Sequence, residues 1–288
     1  MRISRLRGAA ALLCCSLACG GTDPDAASTD DLVEQHGTPH ALPLGATAKP
    51  AGKLQYYGGP VLAHPRVVAV FWGGVDSQTA AHAGDFYTAL LGSPAFSWLA
   101  EYDTKTQKIG AGSFAKAVRI SPSTRSRNLT DAQVEKELAA QIRKHALPAS
   151  DADTVYMIHF APGIRIDLEG AGSCESGGFC GYHNAFKSGG KRIAYAVLPD
   201  MGQGSGCDLG CGSGTAFDRV TSVASHELAE ATTDPEVGLA SGLAAPLAWY
   251  DPNGGEIGDL CAGETGRVRG YTVQKEWSNS ANACVLMR

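Results

Sequence analysis

The sequence predicts an α/β (α+β) domain, a mixed sheet with helices packed on it. Two observations carry this. Val67–Trp72, Val155–Phe160 and Arg192–Leu198 are short, nearly continuous apolar runs, the pattern of strands buried on both faces. Segments with apolar residues at helical spacing alternate with them, and strands that alternate with helices build layered sheets.

Each element has a local reason. Gly73 and Gly74 end the first strand. Residues 76–91 read as a helix with Phe86, Leu90 and Leu91 inward. Ser93-Pro94 opens a helix over 94–102, with proline at its first position. Thr130 and Gln133 form a capping box that starts a helix bearing Val134, Leu138 and Ile142 on one face. Cys180-Gly-Tyr182-His183-Asn184 falls in a Gly- and Cys-rich stretch, expected to be a loop between the second and third strands. Beyond Pro235 the pattern is loops and short strands, closing with Tyr271–Trp277 and Cys284.

The chain has 288 residues, 44% hydrophobic and only 18% charged, with a formal charge of −5, and holds no Lys/Arg-rich run. Nucleic acid and anionic membranes are therefore excluded as expected partners. Residues 1–18 read as a signal peptide, with three arginines before the ten-residue apolar run Gly8–Leu17. As a helix that run spans about 15 Å, half a bilayer. It ends in Leu17-Ala18-Cys19, similar to a bacterial lipobox, which makes Cys19 a candidate for lipidation; ordinary signal cleavage is the alternative. Residues 19–53 are expected to be a disordered, lipid-anchored tether that leaves His36 and His40 solvated, and 54–288 a single domain. The expected location is the cell envelope or the extracellular space. Past the lipobox six cysteines remain, Cys174, Cys180, Cys207, Cys211, Cys261 and Cys284, an even number that reads as disulfides in an exported chain. Proximity favours Cys174–Cys180, Cys207–Cys211 and Cys261–Cys284.

The chemistry centres on Val220–Pro235. Val220, Val223, Ala224, Leu228 and Ala231 fall on one stripe, Asp218 stands where it can cap the start, and Pro235 ends the run. His226 and Glu230 are four apart and project from one face, with Glu227 beside them. This resembles the zinc-protease helix His-Glu-x-x-His, with glutamate in place of the second histidine. The resemblance implies one zinc ion held by His226 and Glu230, and Glu227 as general base. Glu256 and Asp259 look like the later glutamate ligand of gluzincin-type proteases and the acidic residue that orients the first histidine, provided that Glu256–Asp259 is helical. Glu236 and Asp234 are weaker alternatives for these positions. His183 and Tyr250 are candidate oxyanion stabilisers or loop hydrogen-bonding groups, and His64 and His159 are expected to be structural. No serine-hydrolase elbow or phosphate loop is present.

The order of Tyr56–Val61, Val67–Gly73, Gly178–His183, Arg192–Leu198, the His226 helix, Trp249-Tyr250, Glu256–Cys261 and Val273-Gln274 through Trp277 to Cys284 resembles the phosphate-induced protein 1, or EXORDIUM-like, family. That resemblance implies export; the helix motif implies a zincin-like sheet and helix. Two functions follow as expectations. One is an exported zinc hydrolase of the metallopeptidase type, acting on a peptide or protein. The other is a non-catalytic envelope binding protein with a structural metal or none.

Overall fold

The computed structural model describes residues 41–49 and 51–286, all within the unit Asp31–Arg288. The signal, Cys19, His36 and His40 lie outside the described residues. In chain order the strands begin with β1 (Ala41–Pro43), β2 (Gln55–Tyr56) and β3 (Arg66–Trp72), followed by helices α1 (Ser77–Leu91) and α2 (Pro94–Ser97). Next come β4 (Ser113–Ile120), β5 (Asn128–Thr130), α3 (Asp131–Arg143), β6 (Thr154–Phe160), β7 (Arg165–Leu168) and β8 (Ala171–Gly172). Then follow β9 (Phe179–Ser188), β10 (Lys191–Leu198), α4 (Ala216–Thr233), β11 (Trp249–Tyr250), β12 (Thr265–Val268), β13 (Tyr271–Gln274), β14 (Glu276–Ser278) and β15 (Ala283–Val285).

The fold is mixed α/β. Its central sheet has six strands in the order β1-β9-β10-β6-β3-β4. Strands β10, β6, β3 and β4 are parallel, whereas β9 and β1 are each antiparallel to their neighbours. The three apolar runs form the middle of the sheet. Alternate residues serve opposite faces: Val67, Ala69 and Phe71 pack with α1 and α4, while Val68, Val70 and Trp72 pack with α3. From β3 the chain moves outward to β4 through α1, then returns past β3 to β6 through α3 on the other face.

Several expectations are corrected. The domain begins before Leu54, because Leu42 is buried and Ala41–Pro43 pairs with Tyr182, Gly181 and Phe179 of β9. Pro43, which has no N–H to donate, sits here on the outermost strand of the sheet. The expected loop around His183 is strand β9, whose ladder to β10 runs from Ser188 to Tyr182. The helix over 94–102 stops at Ser97 and continues as a 3-10 turn to Tyr102. The metal-motif helix starts earlier, with Thr215 as its cap and Asp218 as the third residue of a reciprocal capping box.

All six cysteines are paired, as Cys174–Cys207, Cys180–Cys211 and Cys261–Cys284. Only the last matches the proximity expectation. A 3-10 turn at 207–209, followed by Cys211 N–H donating to Cys207 O at 3.0 Å, sets Cys207 against Cys174, which precedes β9, and Cys211 against Cys180 at the start of β9. Three bridges are compatible with an exported protein. No helix of the described residues is long and apolar enough to cross a membrane.

Candidate metal centre

Helix α4 is buried along most of its length, and His226, Glu227 and Glu230 are each 0% exposed. Charged residues are almost never fully buried without partners, so the surroundings of these three matter. Opposite them stands His183 of β9. Its Nδ1 lies 3.4 Å from Glu230 Oε2 and 3.7 Å from Glu227 Oε2. Its Nε2 lies 3.5 Å from Glu256 Oε1 and 3.2 Å from the Asp234 carbonyl oxygen. His226 Nε2 is 3.2 Å from Glu230 Oε1. Glu230 thus stands between two imidazoles, one presented by its own helix and one by the sheet.

Strand periodicity places His183. Tyr182 belongs to the apolar cluster on the α3 face, so its neighbour His183 faces α4. Gly181, two residues back on the same face, lets the helix approach. A Cβ there would lie 2.7 Å from Val223 Cγ1 and 2.8 Å from Glu227 Oε1. Gly258 does the same from the other side, where a Cβ would run into the His226 ring and come within 2.9 Å of Glu230 Oε1.

The segment 256–259 is not helical as expected. It is a turn that leads into a 3-10 turn at Asp259–Cys261. Asp259 Oδ2 accepts from Glu256 N–H at 3.0 Å, and Asp259 N–H donates to Glu230 Oε1 at 3.1 Å. Among the described residues, two groups of three donor atoms lie close enough to hold an ion, His183 with Glu227 and Glu230, and His226 with Glu230 and Asp259. Glu256, expected as a ligand, belongs to neither group and faces His183. Glu236 is drawn away, its Oε1 3.3 Å from Arg192 Nε. Asp234 caps the helix end, accepting from Ala248 N–H at 3.0 Å. His226 Nδ1 meets Gln274 Nε2 at 2.7 Å, and that nitrogen also donates to Gly258 O at 2.9 Å. Sequence reasoning missed both Gln274 and Glu276. They lie two apart near the closing strands, and that spacing was the available signal.

The donors fit a divalent cation. His183 Nδ1, His226 Nε2, both oxygens of Glu227 and of Glu256, and Glu230 Oε2 are buried without a hydrogen-bond partner, a costly condition for polar atoms. Around an ion with ligand bonds near 2.0–2.1 Å, tetrahedral donors lie about 3.3 Å apart. The separations from His226 to Glu230 Oε1, 3.2 Å, and from His183 to Glu230 Oε2, 3.4 Å, are near that edge, one in each of the two groups, and that from His183 to Glu227 is longer at 3.7 Å. In the protein alone, protons must compensate. Burial pushes Glu227 up to about 7 and Asp234 up to about 8, and lifts Glu256 and Glu276 well above the carboxylate range. Burial opposes charge on His226 and on Glu230, but their mutual attraction outweighs it, so His226 rises to about 10 and Glu230 falls to about 2. His183 is likewise raised well above the ordinary histidine range, because Glu256, Glu227 and Glu230 outweigh its burial.

Tyr250, half-buried on β11, has its pKa raised by burial and by Glu256 and Asp259, which sets the phenol in the field of the cluster. His64 is exposed, its Nδ1 3.3 Å from the Ala111 carbonyl oxygen, and His159 is buried, its Nε2 2.9 Å from the Tyr87 hydroxyl. Comparison with protein-family models, with curated proteins and with solved structures finds no match to this chain.

Proposed function

We propose that the chain is an exported, metal-dependent hydrolase of the metallopeptidase type, with zinc or manganese as its ion. The observation that carries this reading is the convergence of unpartnered, buried nitrogen and oxygen atoms on Glu230. His226, Glu230 and Asp259 would hold the ion; Asp259 takes the place first given to Glu256. A divalent ion there supplies Lewis acidity and lowers the pKa of water. Glu227, beside Glu230 on the helix, takes the proton from the attacking water and passes it to the leaving amine. His183, set by Glu256 and the Asp234 carbonyl on its Nε2 side, stands across from Glu227 and Glu230 to stabilise developing negative charge, with Tyr250 in support.

The mixed sheet with one helix carrying the motif across it supports the zincin-like reading, and the three disulfides support export. The EXORDIUM-like resemblance and lipidation at Cys19 remain part of this proposal.

A second reading has its own observation. The cluster is 0% exposed at His183, His226, Glu227, Glu230 and Glu256, which suits a structural ion in a non-catalytic envelope protein. Metal analysis of the purified chain, followed by peptide hydrolysis with wild type and Glu227→Gln, separates the two. Bound ion with hydrolysis lost in Glu227→Gln supports the enzyme. Bound ion without hydrolysis leaves the structural reading. No bound divalent ion refutes the enzyme and leaves the non-catalytic protein without a metal.

A further inference from the structure

We propose a second ligand site, independent of the metal centre: a crevice at the carboxyl ends of the parallel strands that binds a small oxyanion-bearing molecule, a phosphate or sulfate ester. The argument begins with topology. The chain leaves β3 for β4 on the α1 face and returns to β6 on the α3 face, so connections diverge to opposite faces on either side of β3. In open parallel sheets, the loops separate at such a point and leave a crevice beyond the strand ends, where ligands bind. Here the crevice is present. It encloses about 580 Å³ and is lined by Trp72, Gly73 and Gly74 at the end of β3, and by Ala161 and Pro162 at the end of β6.

Its charge selects the ligand. Arg119, Arg125 and Arg127 line it, together with Ser121, Thr124 and Ser126, and no Asp or Glu does. This is a concentrated positive site on a chain whose formal charge is −5. Among the described residues, none of the three guanidinium groups is in an ion pair. Arg119 is held in place by donating from Nη1 to Gly73 O at 2.8 Å, which leaves its other N–H groups available. Guanidinium forks match the geometry of phosphate and sulfate oxygens, and the hydroxyls of Ser121, Thr124 and Ser126 can donate to the same group.

The test is calorimetric titration of the full chain with inorganic phosphate, sulfate and acetate at low ionic strength. Saturable binding of phosphate or sulfate at one site, stronger than that of acetate, is expected. The double variant Arg125→Gln/Arg127→Gln, altered at two exposed positions, should bind at least about tenfold more weakly with an unchanged thermal melt. The neutral chelator 1,10-phenanthroline should leave binding intact. Absence of binding by both anions, undiminished binding in the double variant, or loss of binding with the chelator would each overturn the proposal. The last result would place the anion on the metal centre instead.

Discussion

Replacing Gly258 by alanine adds one methyl group against His226 and Glu230 in the candidate metal centre. The backbone accepts it, since φ −79° and ψ −37° are ordinary for any residue. The side chain does not fit, because the new Cβ runs into the His226 Nδ1, lies 2.7 Å from its Cε1, and lies 2.9 Å from Glu230 Oε1. Overpacking of this kind costs about 1–3 kcal/mol. Lower entropy of the unfolded chain returns roughly 0.4–1 kcal/mol. The net loss is about 1.3 kcal/mol at mid-range and at most about 2.6 kcal/mol, which is roughly 3–5 °C in Tm at mid-range for a domain of this size. Displacing His226 from Glu230 should also weaken ion binding. The assay is a thermal melt with and without added zinc, with Gly242→Ala as a control, since nothing lies within 4 Å of a Cβ built there. Gly258→Ala should melt lower and gain less from zinc than wild type. If it matches the control in both respects, the packing of 256–259 against α4 described above is wrong.

Three further outcomes are expected. Saturating zinc at about 1,000 times its Kd should stabilise wild type by about 4 kcal/mol, and Glu230→Gln should abolish most of that gain; equal gains in a melt series would exclude Glu230 as a ligand. Peptide mapping without reduction should recover Cys174 joined to Cys207 and Cys180 joined to Cys211, whose loops span 33 and 31 residues; peptides joining Cys174 to Cys180 would refute this pairing. Burial lowers the pKa of His159 to about 4, so the unfolded chain binds the extra proton between that value and the ordinary 6.5. Stability is then full above pH 6.5 and falls as pH drops toward 4, by roughly 2–3 kcal/mol at pH 4.5 from this residue. His159→Gln should remove that share of the slope in urea melts at pH 7 and 4.5, and an unchanged slope would dismiss it.

The fold was most legible where local signals were strong. Val67–Trp72 and Val155–Phe160 match β3 and β6 to within a residue because strands buried on both faces carry continuous apolar runs. Strand β4 escaped because its residues are largely exposed and include Lys116 and Arg119, so no apolar run marks it. His183 was seen, but glycines and cysteines around it suggested a loop; its ladder to β10 is a long-range fact that no local pattern reports. The same holds for Glu256 and Asp259. Their roles depended on a helix, whereas 256–258 is a turn that leads into the 3-10 turn at Asp259–Cys261. Gln274 and Glu276 carry no local sign of a place in the site because a polar residue in a short closing strand reads as solvent-facing, whereas here β13 packs on α4 and both side chains are buried.

The three residues of β1 have a consequence for how molecules of this protein meet one another. Without them, Phe179–Tyr182, the first part of β9 and next to His183, would present a bare row of N–H and C=O groups. Such a row recruits any extended chain that passes, including a second copy. Ala41–Pro43 covers it from within the same chain, and the proline breaks the pattern for the next strand outward. A chain trimmed to begin at Leu54 would lose this cover and should self-associate with rising concentration, which sedimentation of the trimmed and longer forms would reveal. The stretch that composition marks as mere tether therefore guards the sheet against sticking to its own kind.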